Sequence, residues 1–129
     1  MNSEKSVLIL GANSDVAKEC AKLYLQKNFR VMMASRNLKS MEDFIKENHL
    51  DSNKINLLYF DAVDFASHQK FYTELPFKPN VVLYSAGKKK KNKDAFQDFD
   101  KTLQMMHTNY SGAVSILNII AFDKTNKNL

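Results

Sequence analysis

Lys5-Ser6-Val7-Leu8-Ile9-Leu10-Gly11-Ala12-Asn13-Ser14-Asp15-Val16-Ala17 decides how the rest of this 129-residue chain is read. Val7 to Leu10 is an unbroken apolar run closed at once by Gly11. Such a run suits a strand buried on both faces, as in a parallel sheet. Beyond the small and polar residues that follow, Val16, Ala17, Cys20, Ala21, Leu23 and Tyr24 set up a helical period among good helix formers. The opening is therefore strand, glycine turn, helix.

That turn has a definite physical capacity. A helix N-terminus presents unpaired N–H groups and about half a unit of positive charge, so a pyrophosphate there gains hydrogen bonds and a favourable dipole. Gly11 permits a tight turn and close backbone approach. Asn13 and Ser14 are both candidates for the helix N-cap, and either side chain has the reach for a phosphate oxygen. The usual dinucleotide fingerprint has three glycines. Only the first is here, with Asp15 and Ala17 where later ones would stand, so an ordinary βα turn would read much the same.

Outward from this stretch the alternation continues. Arg30 to Ala34 reads as a second strand, followed by Ser35-Arg36-Asn37 and a helix from Leu38 to Asn48 with Met41, Phe44 and Ile45 inward. Ile55 to Phe60 is a third strand ending at Asp61, and Phe65 to Glu74 a further helix. Pro76 and Pro79 break the chain. Val81 to Tyr84 is a fourth strand closed by Ser85-Ala86-Gly87. A helical pattern then runs from Phe96 to Phe122, with Leu103, Met106, Tyr110, Ala113, Leu117 and Ile120 at intervals of three or four. Alternating strands and helices predict an α/β fold with a doubly wound parallel sheet. Right-handed crossovers set the strand order 3-2-1-4, one Rossmann half with the start of the second. The expected fold stops before a fifth strand, and 1–129 is read as a single, incomplete domain.

Composition narrows the classes. No run is long enough to span a bilayer and no apolar leader is present, which points to a soluble, cytoplasmic chain without a membrane partner. Cys20, the single cysteine, lies on the apolar face of the first helix and reads as core; it has no partner for a disulfide. His49, His68 and His107 are scattered, without metal-ligand spacing, and read as structural or exposed. The net charge of +5, from 19 basic and 14 acidic residues, owes much to Lys88 to Lys93. That run could touch phosphate or nucleic acid, but no aromatic residue interleaves it as a single-strand binder needs, and a solvated loop is the preferred reading. No nucleic-acid partner is expected.

In a doubly wound sheet the ligand lies beyond the carboxyl ends of the strands, so the residues there carry the function. After the second strand, where an acid would hold the 2′-hydroxyl of NAD, stand Ser35 and Arg36. A guanidinium suits a 2′-phosphate, favouring NADP over NAD. After the third, Asp61 can accept from an adenine amino group with the backbone of Ala62 beside it, unless Asp61 or Asp64 merely caps the next helix. After the fourth, the small residues Ser85, Ala86 and Gly87 leave room for a nicotinamide ribose.

Taken in order, these segments resemble the N-terminal half of a short-chain dehydrogenase/reductase. Gly11 to Ala17 is similar to that family's glycine motif, Asp61-Ala62-Val63-Asp64 to its adenine-contacting acidic motif, and Tyr84-Ser85-Ala86-Gly87 to its Asn-Asn-Ala-Gly motif. Thr108-Asn109-Tyr110-Ser111-Gly112-Ala113 is similar to the helix that supplies its active-site asparagine. Within the family the degenerate glycine motif is similar to that of reductases of a lipid-linked keto-pentose. The resemblance implies a cofactor site made of Gly11, Asn13, Ser14, Asp15, Val16, Ser35, Arg36, Asp61, Ala62, Ser85, Ala86 and Gly87, with Asn109 supporting a proton-relay water. It implies an NADP(H)-dependent oxidoreductase acting on a small carbonyl or secondary alcohol, no metal, and a homo-dimer or tetramer in full-length form. The family's Tyr-x-x-x-Lys has no counterpart; Tyr84 to Lys88 has the letter spacing but falls at a strand end. This chain is therefore expected to bind cofactor without turning over, and to self-associate or be poorly stable through its uncovered last helix. The alternative is a non-catalytic dinucleotide-binding or sensor module.

Overall fold

A computed structural model describes residues 4–85 and 111–123. Four parallel strands, β1 (Ser6–Leu10), β2 (Arg30–Ser35), β3 (Ile55–Tyr59) and β4 (Val81–Tyr84), form one sheet in the order β3-β2-β1-β4. The helices are α1 (Asp15–Gln26), α2 (Leu38–Glu47), α3 (His68–Thr73) and α4 (Gly112–Ala121). The register pairs Leu8 with Met32 on one side and with Val82 on the other, so β1 is central.

Every residue of β1 is buried, which a strand covered on both faces requires. Alternate side chains serve two cores. Val7 and Ile9, with Val31 and Met33, pack under Ala17 and Ala21 of α1 and Met41, Phe44 and Ile45 of α2. Leu8 and Leu10, with Met32 and Ala34, pack under Tyr72 of α3 and Ile116 and Ile120 of α4. The sheet is thus doubly wound, as the alternation predicts.

Local signals explain the element ends. Ser14 caps α1, its hydroxyl accepting from the Ala17 amide at 3.1 Å. Asn37 caps α2 by accepting from Ser40 N at 3.0 Å. Asn28 and His49 take positive φ just after α1 and α2, at 64° and 53°, the left-handed turn that ends helices.

Three expectations need correction. Val16 and Leu23, counted on the apolar face of the first helix, are 71% and 55% exposed. Apolar residues spread around more of α1 than the sheet can cover, and only the side holding Ala17 and Ala21, flanked by the half-buried Cys20 and Tyr24, meets it. The expected helix from Phe65 to Glu74 is instead a 3-10 turn, Phe65–Ser67, leading into α3. Asp64 makes no side-chain cap there, so the first turn tightens instead of opening an α-helix. Finally, β3 ends at Tyr59, although the Phe60 amide still donates to Ser35 O at 3.0 Å. Of the long helical pattern from Phe96 to Phe122, only residues 111–122 fall within the described residues, and α4 ends at Ala121.

A latch holds the end of α4. The Asp123 carboxylate accepts from Lys78 Nζ at 2.9 Å and from the Tyr72 hydroxyl, and Lys78 lies 4.2 Å over the Tyr72 ring. The Asp123 hydrogen bond holds the Lys78 ammonium above its ordinary pKa.

Candidate functional site

At the carboxyl ends of β1, β2 and β4, hydrogen bonds join side chains distant in sequence. Gly11 sits at φ 81°, in the left-handed region that favours glycine, and its amide and that of Ala12 both donate to Ala34 O, at 2.8 and 3.0 Å. The turn after β1 is thereby tied to the end of β2. Asn13, one of two cap candidates, does not cap α1. Its Nδ2 donates to Ser35 Oγ at 2.5 Å and to Asn37 O at 3.1 Å. Ser35 Oγ also accepts the Asn37 amide at 3.0 Å. On the other side, Ser14 Oγ lies 2.7 Å from Ser85 Oγ and so spans from the helix start to the end of β4.

The structure therefore joins Gly11, Asn13, Ser14, Ser35 and Ser85 through direct contacts. Asp15 and Val16 stand exposed in the first turn of α1, and their amides make no backbone hydrogen bond among the described residues. Arg36 is exposed just past β2. Asp61 and Ala62 follow β3. The Asp61 carboxylate accepts the Val63 amide at 3.1 Å, closing a turn on itself rather than capping a helix. Ala86, Gly87 and Asn109 lie outside the described residues, as do Lys88 to Lys93 and His107.

These groups fit a dinucleotide at several points. Two open amides at a helix start suit a phosphate. Among the described residues Asn13 Oδ1 is buried without a partner, an acceptor that a ligand hydroxyl or amino group would complete. Asp15 opposes the anion: its carboxylate stabilises the first turn of α1 through the helix dipole yet repels a phosphate there.

Two features emerge only in the folded chain. His68 is fully buried, with both ring nitrogens engaged. Gly112, the first residue of α4, is packed so tightly that an added Cβ would lie 2.6 Å from Ala62 O and 2.7 Å from the Tyr84 hydroxyl. A polar residue at an apolar helical spacing is the hint the sequence holds for the first, and a glycine inside the expected helix 96–122 for the second.

Burial pushes the Tyr84 phenol up to about 12, from 10.0. The unfolded chain then loses this proton first as pH climbs, so the folded state loses stability between about pH 10 and pH 12 and is unaffected below. Lys78 acts in the same direction, its contribution present below 10.5 and lost as pH passes its raised value. Chemical denaturation at neutral and strongly alkaline pH should show a smaller alkaline loss for Tyr84→Phe than for the parent; an identical loss would mean that Tyr84 ionises as freely folded as unfolded.

No helix among the described residues is long and apolar enough to cross a membrane, and no group of three or more His, Cys, Asp or Glu among them could hold a metal. The family model described as short chain dehydrogenase matches residues 5–123. Among curated protein sequences none matches the chain. Solved structures share its fold. A short-chain dehydrogenase/reductase from Vibrio parahaemolyticus superposes with a TM-score of 0.80 at 20% identity, over 94% of this chain and 54% of that one. Serine dehydrogenase from Escherichia coli gives 0.77 at 18%, over 90% and 54%. An actinorhodin polyketide ketoreductase solved with NADPH gives 0.80 at 16%, over 95% and 49%. The chain thus spans about half the length of each of these structures.

Proposed function

This chain belongs to the short-chain dehydrogenase family, and from that premise we propose that it supplies the cofactor-binding half of an NADP(H)-dependent oxidoreductase, moving a hydride between nicotinamide and a carbonyl or secondary alcohol. The observation that carries the reading is the bracing of the turn after β1. Asn13 bonds to the end of β2 and Ser14 to the end of β4, so the turn after β1 is braced where a doubly wound sheet holds its ligand.

Within this reading each group has a role. The open amides of Asp15 and Val16 hold the pyrophosphate, and Gly11 lets it approach. Ser14 and Ser85 line the path between the two halves of the cofactor. Asp61 and Ala62 hold the adenine edge. Ala86 and Gly87 leave space at the nicotinamide ribose, and Asn109 steadies a water for proton transfer. The bound nicotinamide supplies the hydride-transfer chemistry. The chain by itself binds cofactor without turnover, because no residue here matches the tyrosine and lysine that would move the proton. The full-length protein is read as a cytoplasmic homo-dimer or tetramer.

Arg36 supports NADP over NAD. It is exposed at the end of β2 and gives no cap to α2, a task Asn37 performs. Calorimetric titration of the chain with NADP⁺ and NAD⁺, with Arg36→Ala alongside, tests the assignment. A charged contact of this kind is worth roughly 1.5–3 kcal/mol, or about ten- to a hundredfold in affinity. NADP⁺ should bind tighter by that factor, and the variant should lose the difference. Equal binding of the two cofactors would remove Arg36 from the site; binding of neither would remove the dinucleotide reading.

A further inference from the structure

We propose that His68 is a positioning residue that sets the Asp61–Asp64 turn and ties it to α4, an inference that takes its functional meaning from reading that turn as the adenine subsite. His68 opens α3 and is 0% exposed. Its Nε2 lies 2.9 Å from Asp61 O and its Nδ1 2.7 Å from Ser115 Oγ on α4. A carbonyl oxygen only accepts, so Nε2 carries the proton, Nδ1 is the acceptor, and the Ser115 hydroxyl donates to it. The ring cannot turn to other partners. It stacks on Phe60 with centroids 4.9 Å apart and meets the Phe65 ring edge-on at 6.0 Å.

The turn meets α4 at two points, through the His68 ring to Ser115 and directly at Gly112. The Asp61 carbonyl takes the His68 ring and, at 3.3 Å, the Asp64 amide. The next carbonyl, that of Ala62, lies against Gly112, three residues before Ser115 on α4. Helix and turn therefore shift together or not at all. In this arrangement the ring does more than fill space: its Nε2–H aims the Asp61 carbonyl inward, which leaves the Asp61 carboxylate to close on the Val63 amide at 3.1 Å.

Two variants separate the ring's two bonds. His68→Gln keeps an amide donor near the position of Nε2, and His68→Asn keeps only an acceptor near the position of Nδ1. Amide hydrogen exchange at Val63 and Asp64 reads the turn without any cofactor, and calorimetry with AMP reads the subsite. One hydrogen bond lost corresponds to roughly a three- to tenfold change. His68→Asn should speed exchange at Val63 and Asp64 by about that factor and weaken AMP equally, while β1 amides keep the parent rate and His68→Gln, which loses only the bond to Ser115, shows a smaller acceleration confined to the same two amides. Parent-like exchange in both variants, or an equal acceleration in both that extends to β1, would overturn the proposal. If neither variant folds, Ser115→Ala takes their place: faster exchange confined to the turn supports the tie to α4, and unchanged exchange overturns it. A parent chain that binds no AMP would defeat the dinucleotide reading, while the exchange rates would still decide the role of His68.

Discussion

Leu8→Ala should lower the unfolding free energy by about 2–5 kcal/mol, the range for truncating a buried leucine. Against a total of about 5–15 kcal/mol for an ordinary domain, that is enough to unfold much of the population. Leu8 is central in the sheet, wholly buried, and shares its core with Leu10, Met32, Tyr72 and Ile116. Strands pair on both sides of β1, so the backbone cannot collapse inward to fill the space the side chain leaves. A urea titration measures the loss as a lower midpoint at unchanged slope. Leu23→Ala is the matched control. The same atoms are removed from a site that is 55% exposed, and the change should stay within about 0.5 kcal/mol. A loss below about 1 kcal/mol at Leu8 would contradict a central, doubly covered β1.

Gly112→Ala should destabilise the chain by about 1–3 kcal/mol, the cost of overpacking a filled site. Helix propensity alone argues the opposite, since alanine is worth up to about 1 kcal/mol over glycine inside a helix. The contact decides the sign. An added Cβ would lie 2.6 Å from a backbone carbonyl, that of Ala62, and 2.7 Å from the Tyr84 hydroxyl. The phenol can swing aside, but the carbonyl moves only with the turn after β3. The variant should therefore melt at a lower temperature and also bind AMP more weakly, because α4 would be pushed off the turn that follows Asp61. A higher melting temperature would mean that helix and turn do not touch.

The fold was legible in the chain. Val7 to Leu10 announced a strand covered on both faces, Gly11 a tight turn and Asn13 or Ser14 a cap, all signals carried within a few residues of one another. The strand order followed from alternation and crossover handedness, and it is the order observed. Which residues stand at strand ends was legible for the same reason: in a doubly wound sheet, position along the chain already says so. Periodicity also overreached, as Val16 and Leu23 show, because it reports which residues are apolar and not how wide a face the neighbouring sheet covers.

Only the tertiary structure decided which side chains meet. Asn13 and Ser14 were equal as caps in the sequence; folding gave the cap to Ser14 and sent Asn13 across to Ser35, 22 residues away. Ser14 reached Ser85 over 71 residues because β1 and β4 are neighbours in the sheet. His68 looked like one of three scattered histidines until α4 brought Ser115 to its ring. Local signals act through the backbone over one helical turn or a strand pair. Partners this far apart in sequence are chosen by sheet order and helix packing, which exist only once the chain has folded.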